Sequence, residues 1–162
     1  IIGWVEKNGP FRDQFGPLWT NRIVGEAHFL RAYVYFTMVR MHSPAFGATA
    51  SNDAKSIILM TEPSKDPFPN KSRSTVKEVY DLLLADLNRA IALLPDGFRP
   101  GIDPIEYQDR ATRDAARFLL ARVHFQMKNF DQAKLQCDTV LNSNRYTLTE
   151  EPIQAWNKSG LN

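Results

Sequence analysis

Apolar residues recur at helical spacing in four segments of the chain. In the first, over about residues 23–41, Ile23, Ala27, Leu30, Val34, Met38 and Met41 follow the 3/4 spacing of one helix face. Phe29, Tyr33 and Phe36 make a second apolar face, and Ala32, Tyr35 and Val39 a third; Arg22, Glu26, Thr37 and Arg40 cluster as a polar stripe. A helix apolar nearly all round is packed on several sides. The pattern therefore predicts that this helix is the centre of the core, with Leu30→Ala costing about 2–5 kcal/mol.

The second helix begins at a capping box, Thr75 with Glu78 three residues on. Val76, Val79, Tyr80, Leu83, Leu87, Ala90, Ile91 and Leu94 form one apolar stripe, and Pro95-Asp96-Gly97 ends it. Asp86 and Arg89 are expected to pair on its outer face. A third helix follows Thr112, a good N-cap, with Asp114 in its first turn. The fourth runs from Phe130 to about Asn142. The very short connection between the third and fourth predicts an antiparallel hairpin. Tyr146-Thr147-Leu148 is a candidate for a short extended piece, but no long alternating pattern occurs, and the chain reads as all-α.

Helices three and four match part of the 34-residue tetratricopeptide template, with Ala121 and Ala133 where small residues let two helices cross closely. Helices one and two read as a second such hairpin, split by an insertion over residues 43–73. The expected architecture is a set of tetratricopeptide-like hairpins forming a right-handed superhelix, with that long insertion between the first two helices. An insertion of this length is functional or mobile more often than not. Within helix one, Arg31 and His28 lie far from the polar stripe. An unpaired buried charge costs several kcal/mol, so Arg31 is expected in a structural ion pair and His28 as a hydrogen-bonded interior histidine.

Charge and composition narrow the function. The 162 residues carry 20 Lys+Arg against 18 Asp+Glu, a formal net charge of +2. That balance gives no nucleic-acid footprint, and Arg110, Arg113, Arg117 and Arg122 read as a solvated helix face with local ion pairs. No apolar run approaches the ~18–20 residues of a membrane span. Cys137 is the one cysteine, which excludes an internal disulfide framework. His28, His42 and His124 are widely spaced, and no H-E-x-x-H, C-x-x-C, G-x-S-x-G or glycine-rich phosphate loop occurs. The reading is of no enzyme, no metal and no cofactor.

Four blocks in order resemble the SusD/RagB family. They are Gly25-Glu26-Ala27-His28-Phe29-Leu30-Arg31-Ala32-Tyr33-Val34-Tyr35-Phe36; Leu59-Met60-Thr61-Glu62-Pro63; Arg73 to Tyr80 with Asp86-Leu87 and Leu93-Leu94-Pro95; and Arg110-Ala111-Thr112 through Leu120-Ala121-Arg122 to Phe130-Asp131. Ser56-Ile57-Ile58 stands where that family often has Gly-Val-Pro. The resemblance implies a surface-exposed outer-membrane lipoprotein of Bacteroidota that captures glycans or other nutrients and caps a SusC-like TonB-dependent transporter. Family members are several hundred residues long and the resemblance covers their helical part. Residues 1–162 are therefore expected to be a single helical domain of a longer chain. The family's signal peptide and lipidated cysteine are not among these residues.

Sugar recognition needs aromatic faces for the apolar side of the ring and polar side chains for its hydroxyls. Trp4, Phe11, Trp19, Phe46, Phe68 and Trp156 lie outside the four helices read from the pattern, with Arg12, Asp13 and Asn21 near the first three. Residues 1–21 form an N-terminal segment, and Trp4, Trp19, Arg12 and Asn21 are its glycan-binding candidates. The same aromatics have a second reading, as plugs for the ends of the helical core. The insertion, with Phe46 and Phe68, reads as a packing or partner surface. It should leave helix one at the end opposite residues 1–21, roughly 28 Å away at 1.5 Å per residue. Two functions remain: a non-catalytic glycan-binding component of a SusC/SusD-type uptake system, or a tetratricopeptide-like scaffold binding a protein partner and no sugar.

Overall fold

A computed structural model describes residues 2–66, 70–98, 103, 105, 108–147 and 150–151, without the side chains of residues 6, 10–12 and 15. The described chain is all-α: α1 (Ile2–Lys7), α2 (Gly9–His42), α3 (Val76–Leu93), α4 (Arg113–Gln126) and α5 (Phe130–Leu141). No strand occurs among the described residues, and residues 146–147 form neither helix nor strand. Leu148 lies outside the description.

The N-terminal segment, outside the four helices read from the pattern, is itself helical. Gly16 interrupts α2 at φ 75°, ψ 163°, a backbone region open to glycine, and Pro17 restarts the helix. The Thr20 hydroxyl donates back to the carbonyls of Gly16 and Pro17 at 3.0 and 3.1 Å. Helix one therefore begins at Pro17, six residues before the periodicity suggested, because the helix resumes directly beyond the kink at Gly16.

α2 and α3 form an antiparallel hairpin, with Gly25 against Leu94 near one end and the insertion at the other. A Cβ on Gly25 would lie 3.0 Å from Leu94 Cγ and 3.1 Å from Leu93 Cβ, so a side chain here would hold the helices apart. The centre of the core is α3, not α2. Leu83, Leu87 and Val79 are fully buried because α3 packs on α2 along one side and on α4 along another. α2 and α4 scarcely touch, so α2 buries one face only. That face is Val24, His28, Ala32, Tyr35, Phe36 and Val39. The stripe expected inside is the outer one: Leu30 is 57% exposed, and Val34 and Met41 are exposed as well. Periodicity marks apolar faces without counting the neighbours that cover them.

The insertion packs against the hairpin. Its backbone pairs with the start of α3, Ser56 N to Ser74 O at 2.7 Å, Ser74 N to Ile57 O at 2.9 Å and Val76 N to Ala54 O at 3.0 Å. Tyr35 Oη accepts from Met60 N at 2.6 Å, and Phe46 lies 4.8 Å from Tyr80 between ring centroids. The capping box is complete: Thr75 Oγ1 accepts from Glu78 N at 3.1 Å, and Glu78 accepts from Thr75 N at 2.7 Å. Thr112 caps α4, accepting from Ala115 N at 3.3 Å. Residues 127–129 turn α4 into α5, and Ala121 and Ala133 are buried in that hairpin.

Chemical denaturation of two variants checks this burial pattern. Leu83→Ala should lose about 2–5 kcal/mol, as for a packed interior leucine, and Leu30→Ala about 1 kcal/mol or less, as for a half-exposed position. Equal losses would mean that the outer stripe of α2 is covered.

Candidate functional site

The seam between α2 and α3 holds a buried charge cluster. Asp86 is 2% exposed, and its carboxylate accepts from Arg31 Nε at 2.7 Å and Arg31 Nη2 at 2.6 Å. His28 Nδ1 stands 2.6 Å from the same carboxylate. Asp86 thus turns inward between the helices, rather than pairing with Arg89 on the outer face as expected; the apolar stripe of α3 is wide enough to include it. Burial pushes the Asp86 carboxyl up, but the hydrogen bonds from Arg31 and His28 outweigh it and hold the group below the ordinary carboxylate range. The hydrogen bond to Asp86 raises Arg31 in turn. Both carboxylate oxygens of Asp86 are committed to Arg31 and His28, so this cluster joins the two helices.

The open polar site lies at the end of the hairpin where α2 begins and α3 stops. A hollow of about 590 Å³ is lined there by Trp19, Asn21, Asp96, Phe98, Arg113 and Arg145, over an apolar floor of Leu93 and Leu94. Pro95 ends α3 and turns the chain so that Asp96 faces the start of α4. Arg113, the first residue of α4, donates to Asp96 Oδ1 at 2.6 Å and from Nε to Ile91 O at 2.9 Å. Arg145, beyond α5, reaches back to buried Asp114, with Nε donating to Oδ2 at 2.8 Å. Its stem passes 3.8 Å from where a Cβ on Gly97 would be. Each guanidinium is thereby fixed while keeping N–H groups beyond those bonds. The hollow brings together aromatic faces, carboxylate acceptors and guanidinium donors, the combination a polyhydroxylated ring requires.

Of the four glycan candidates, this hollow gathers two. Trp19 and Asn21 line it, both half-buried on α2. Trp4 is exposed on α1 and does not line it. The Arg12 and Phe11 side chains lie outside the described residues, as do Phe68 and Trp156. Trp4 and Trp19 are helical, on α1 and α2, and not outside the helices as the pattern suggested. Asp96 and Arg113 were legible as a helix stop and a surface arginine; only the hairpin geometry brings them to Trp19. Among the arginines read as a solvated face, Arg110 pairs with Glu26 of α2, Arg113 with Asp96 and Arg117 with Asp114. No group of His, Cys, Asp or Glu able to hold a metal occurs among the described residues.

The fold and the ordering of these residues have known relatives. A family model for SusD-like proteins, described as starch-binding associating with outer membrane, matches residues 12–125. This chain belongs to the SusD-like family. A SusD superfamily protein from Bacteroides thetaiotaomicron is similar over 91% of this chain and 30% of its own, at 25% identity and TM-score 0.71. A SusD-like protein from Bacteroides fragilis shares 30% identity over 82% of this chain and 23% of its own, with TM-score 0.63. A laminarin-binding SusD-like protein is 25% identical over 82% of this chain and 25% of its own, with TM-score 0.62. The chain thus spans less than a third of the length of these structures. No curated protein matches it.

Replacing the seam carboxylate gives a measurable outcome. Asp86→Asn leaves Arg31 and His28 facing a neutral group in the seam and should cost about 3–5 kcal/mol in urea denaturation at pH 7. Because the folded Asp86 titrates below its unfolded value of ~3.9, its contribution is complete above that pH and lost as pH falls through the folded value. The native protein should therefore shed this increment in acid below about pH 4, and the Asn variant should lack it.

Proposed function

We propose that this chain is a glycan-capture module that binds without catalysis, and that the hollow beside Trp19 receives the sugar. The observation that carries the reading is the half-buried Trp19 set among Asn21, Asp96, Arg113 and Arg145 over an apolar floor. An indole covers the apolar face of a pyranose, and the polar groups around it exchange hydrogen bonds with ring hydroxyls. Family membership and the likeness to a laminarin-binding protein support a glucan as ligand. Trp4 and Arg12, earlier in the chain, remain further glycan-binding candidates by residue type.

The same reading makes residues 1–162 one helical domain of a larger SusD-like protein. Leu30, Val34 and Met41 lie exposed along α2, and the further two thirds of such a fold would supply their cover. The larger protein is read as a surface lipoprotein of the outer membrane, working over a SusC-like TonB-dependent transporter. No helix among the described residues is long and apolar enough to cross a membrane.

Titration of the intact protein with laminari- and malto-oligosaccharides, followed by calorimetry and tryptophan fluorescence, tests the site. Trp19→Ala should weaken binding at least tenfold, while Phe125→Ala, near the opposite end of the bundle, should leave it unchanged. Binding that survives Trp19→Ala would move the sugar elsewhere. No binding of any oligosaccharide by the intact protein would favour a protein-binding scaffold.

A further inference from the structure

A second hollow, of about 380 Å³, opens between α2 and the α4–α5 hairpin. Its main wall is one face of α4, where Phe118, Ala121, Arg122 and Phe125 recur at i, i+3, i+4 and i+7. Phe36 and Arg40 line it from α2, and the small side chains of Ala133 and Cys137 from α5. Phe118 and Phe125 are exposed, and Phe130 extends the aromatic surface beyond the rim, edge-on to Phe125 at 5.5 Å. Three exposed phenylalanines on one short hairpin form the kind of apolar patch that marks an association surface.

Its charges are uncompensated. Arg40 and Arg122 both stand over the ring of Phe36, at 5.4 and 5.9 Å from its centroid. Four other arginines are matched with carboxylates: Arg31 with Asp86, Arg110 with Glu26, Arg113 with Asp96, Arg145 with Asp114. Among the described residues neither Arg40 nor Arg122 has such a partner, and no Asp or Glu lines the hollow. Two guanidiniums on one aromatic ring attract a carboxylate strongly and repel each other until it arrives. A neutral sugar is poorly served here, since Gln126 is the lone side-chain carbonyl among the lining residues to accept from its hydroxyls. The exposed aromatics also reach further than a small molecule would cover.

We propose that this hollow docks a peptide segment of a protein partner, one carrying a carboxylate (an acidic side chain or a chain terminus) next to one or two large apolar side chains. The carboxylate bridges Arg40 and Arg122, and the apolar side chains lie on Phe118 and Phe125 over the alanine and cysteine floor. This contact is separate from the sugar site: Trp19 and Arg40 are 21 residues apart along α2, roughly 30 Å at 1.5 Å per residue.

A displayed library of random 12-residue peptides, selected on the immobilised intact protein, supplies the probe. Enriched peptides should carry Asp, Glu or a free C-terminus beside Leu, Ile, Phe or Trp. In fluorescence polarisation, the Arg40→Gln/Arg122→Gln double variant and Phe125→Ala should each weaken the selected peptide at least tenfold. Replacing its carboxylate by the amide should cost as much against the native protein and little further against the double variant. These three side chains are exposed, so thermal unfolding should be unchanged, and Trp19→Ala should bind the peptide normally. Enrichment of no peptide, enrichment of basic ones, or affinity indifferent to both arginines would overturn the proposal. So would binding of polygalacturonate that competes with the peptide tenfold more tightly, which would reassign the hollow to acidic sugars.

Discussion

A carboxylate with no access to water must find its counter-charges in the protein, and for Asp86 there is one arrangement that supplies them. Arg31 and His28, three residues apart on α2, both reach it across the α2–α3 seam. A slip of one helical turn, about 5.4 Å, would strand all three groups, whereas apolar side chains alone would tolerate many neighbouring registers. The charge cluster therefore selects the register that packing leaves open. Everything at the two ends of the hairpin follows from it: Gly25 meets Leu94, Phe46 meets Tyr80, and Trp19 comes to lie beside the turn at Asp96.

The order of packing gives α3 the role that sequence periodicity assigned to α2. Because α3 is covered on two sides, its leucines form the core, and α2 and α4 become walls with separate outer surfaces. The ion pairs divide along the bundle in the same way. Near the hollow that contains Trp19, arginines are bound to Asp96 and Asp114 and are held still. Toward the insertion end, Arg40 and Arg122 rest on a phenylalanine and keep their charge available. One small domain thus presents a preorganised polar hollow and an electropositive aromatic one.

Interactions between residues close in sequence were the legible part. The Thr75–Glu78 capping box, the Thr112 cap and the alanines of the α4–α5 hairpin are all encoded within a dozen residues, and each stands where the pattern placed it. The resemblance of the four blocks to SusD/RagB proteins supplied the family. What depended on distant partners was hidden. Asp86 and His28 are 58 positions apart, and nothing near Asp86 distinguishes an inward carboxylate from one that pairs with Arg89. Leu30 illustrates a different limit: on a helix with three apolar faces, the buried one is chosen by where α3 lies. Of the residues that line the hollow, Trp19 and Asn21 stand out by residue type, while Asp96 and Arg113 do not, because chemistry alone does not separate them from a helix stop and a surface charge.

The insertion has a consequence for how the chain reaches this fold. α4 and α5 are joined by three residues, 127–129, while 33 residues, 43–75, separate α2 from α3. Closing the longer loop costs about 2 kcal/mol more in chain entropy, by the logarithmic dependence on length. The α4–α5 hairpin is therefore a local unit able to form early, and the α2–α3 seam a late, non-local one. Pairing of Ala54, Ser56 and Ile57 with the residues around Ser74 breaks that closure into smaller steps. The segment that interrupts the hairpin in sequence thus becomes the splint along which its two halves find each other.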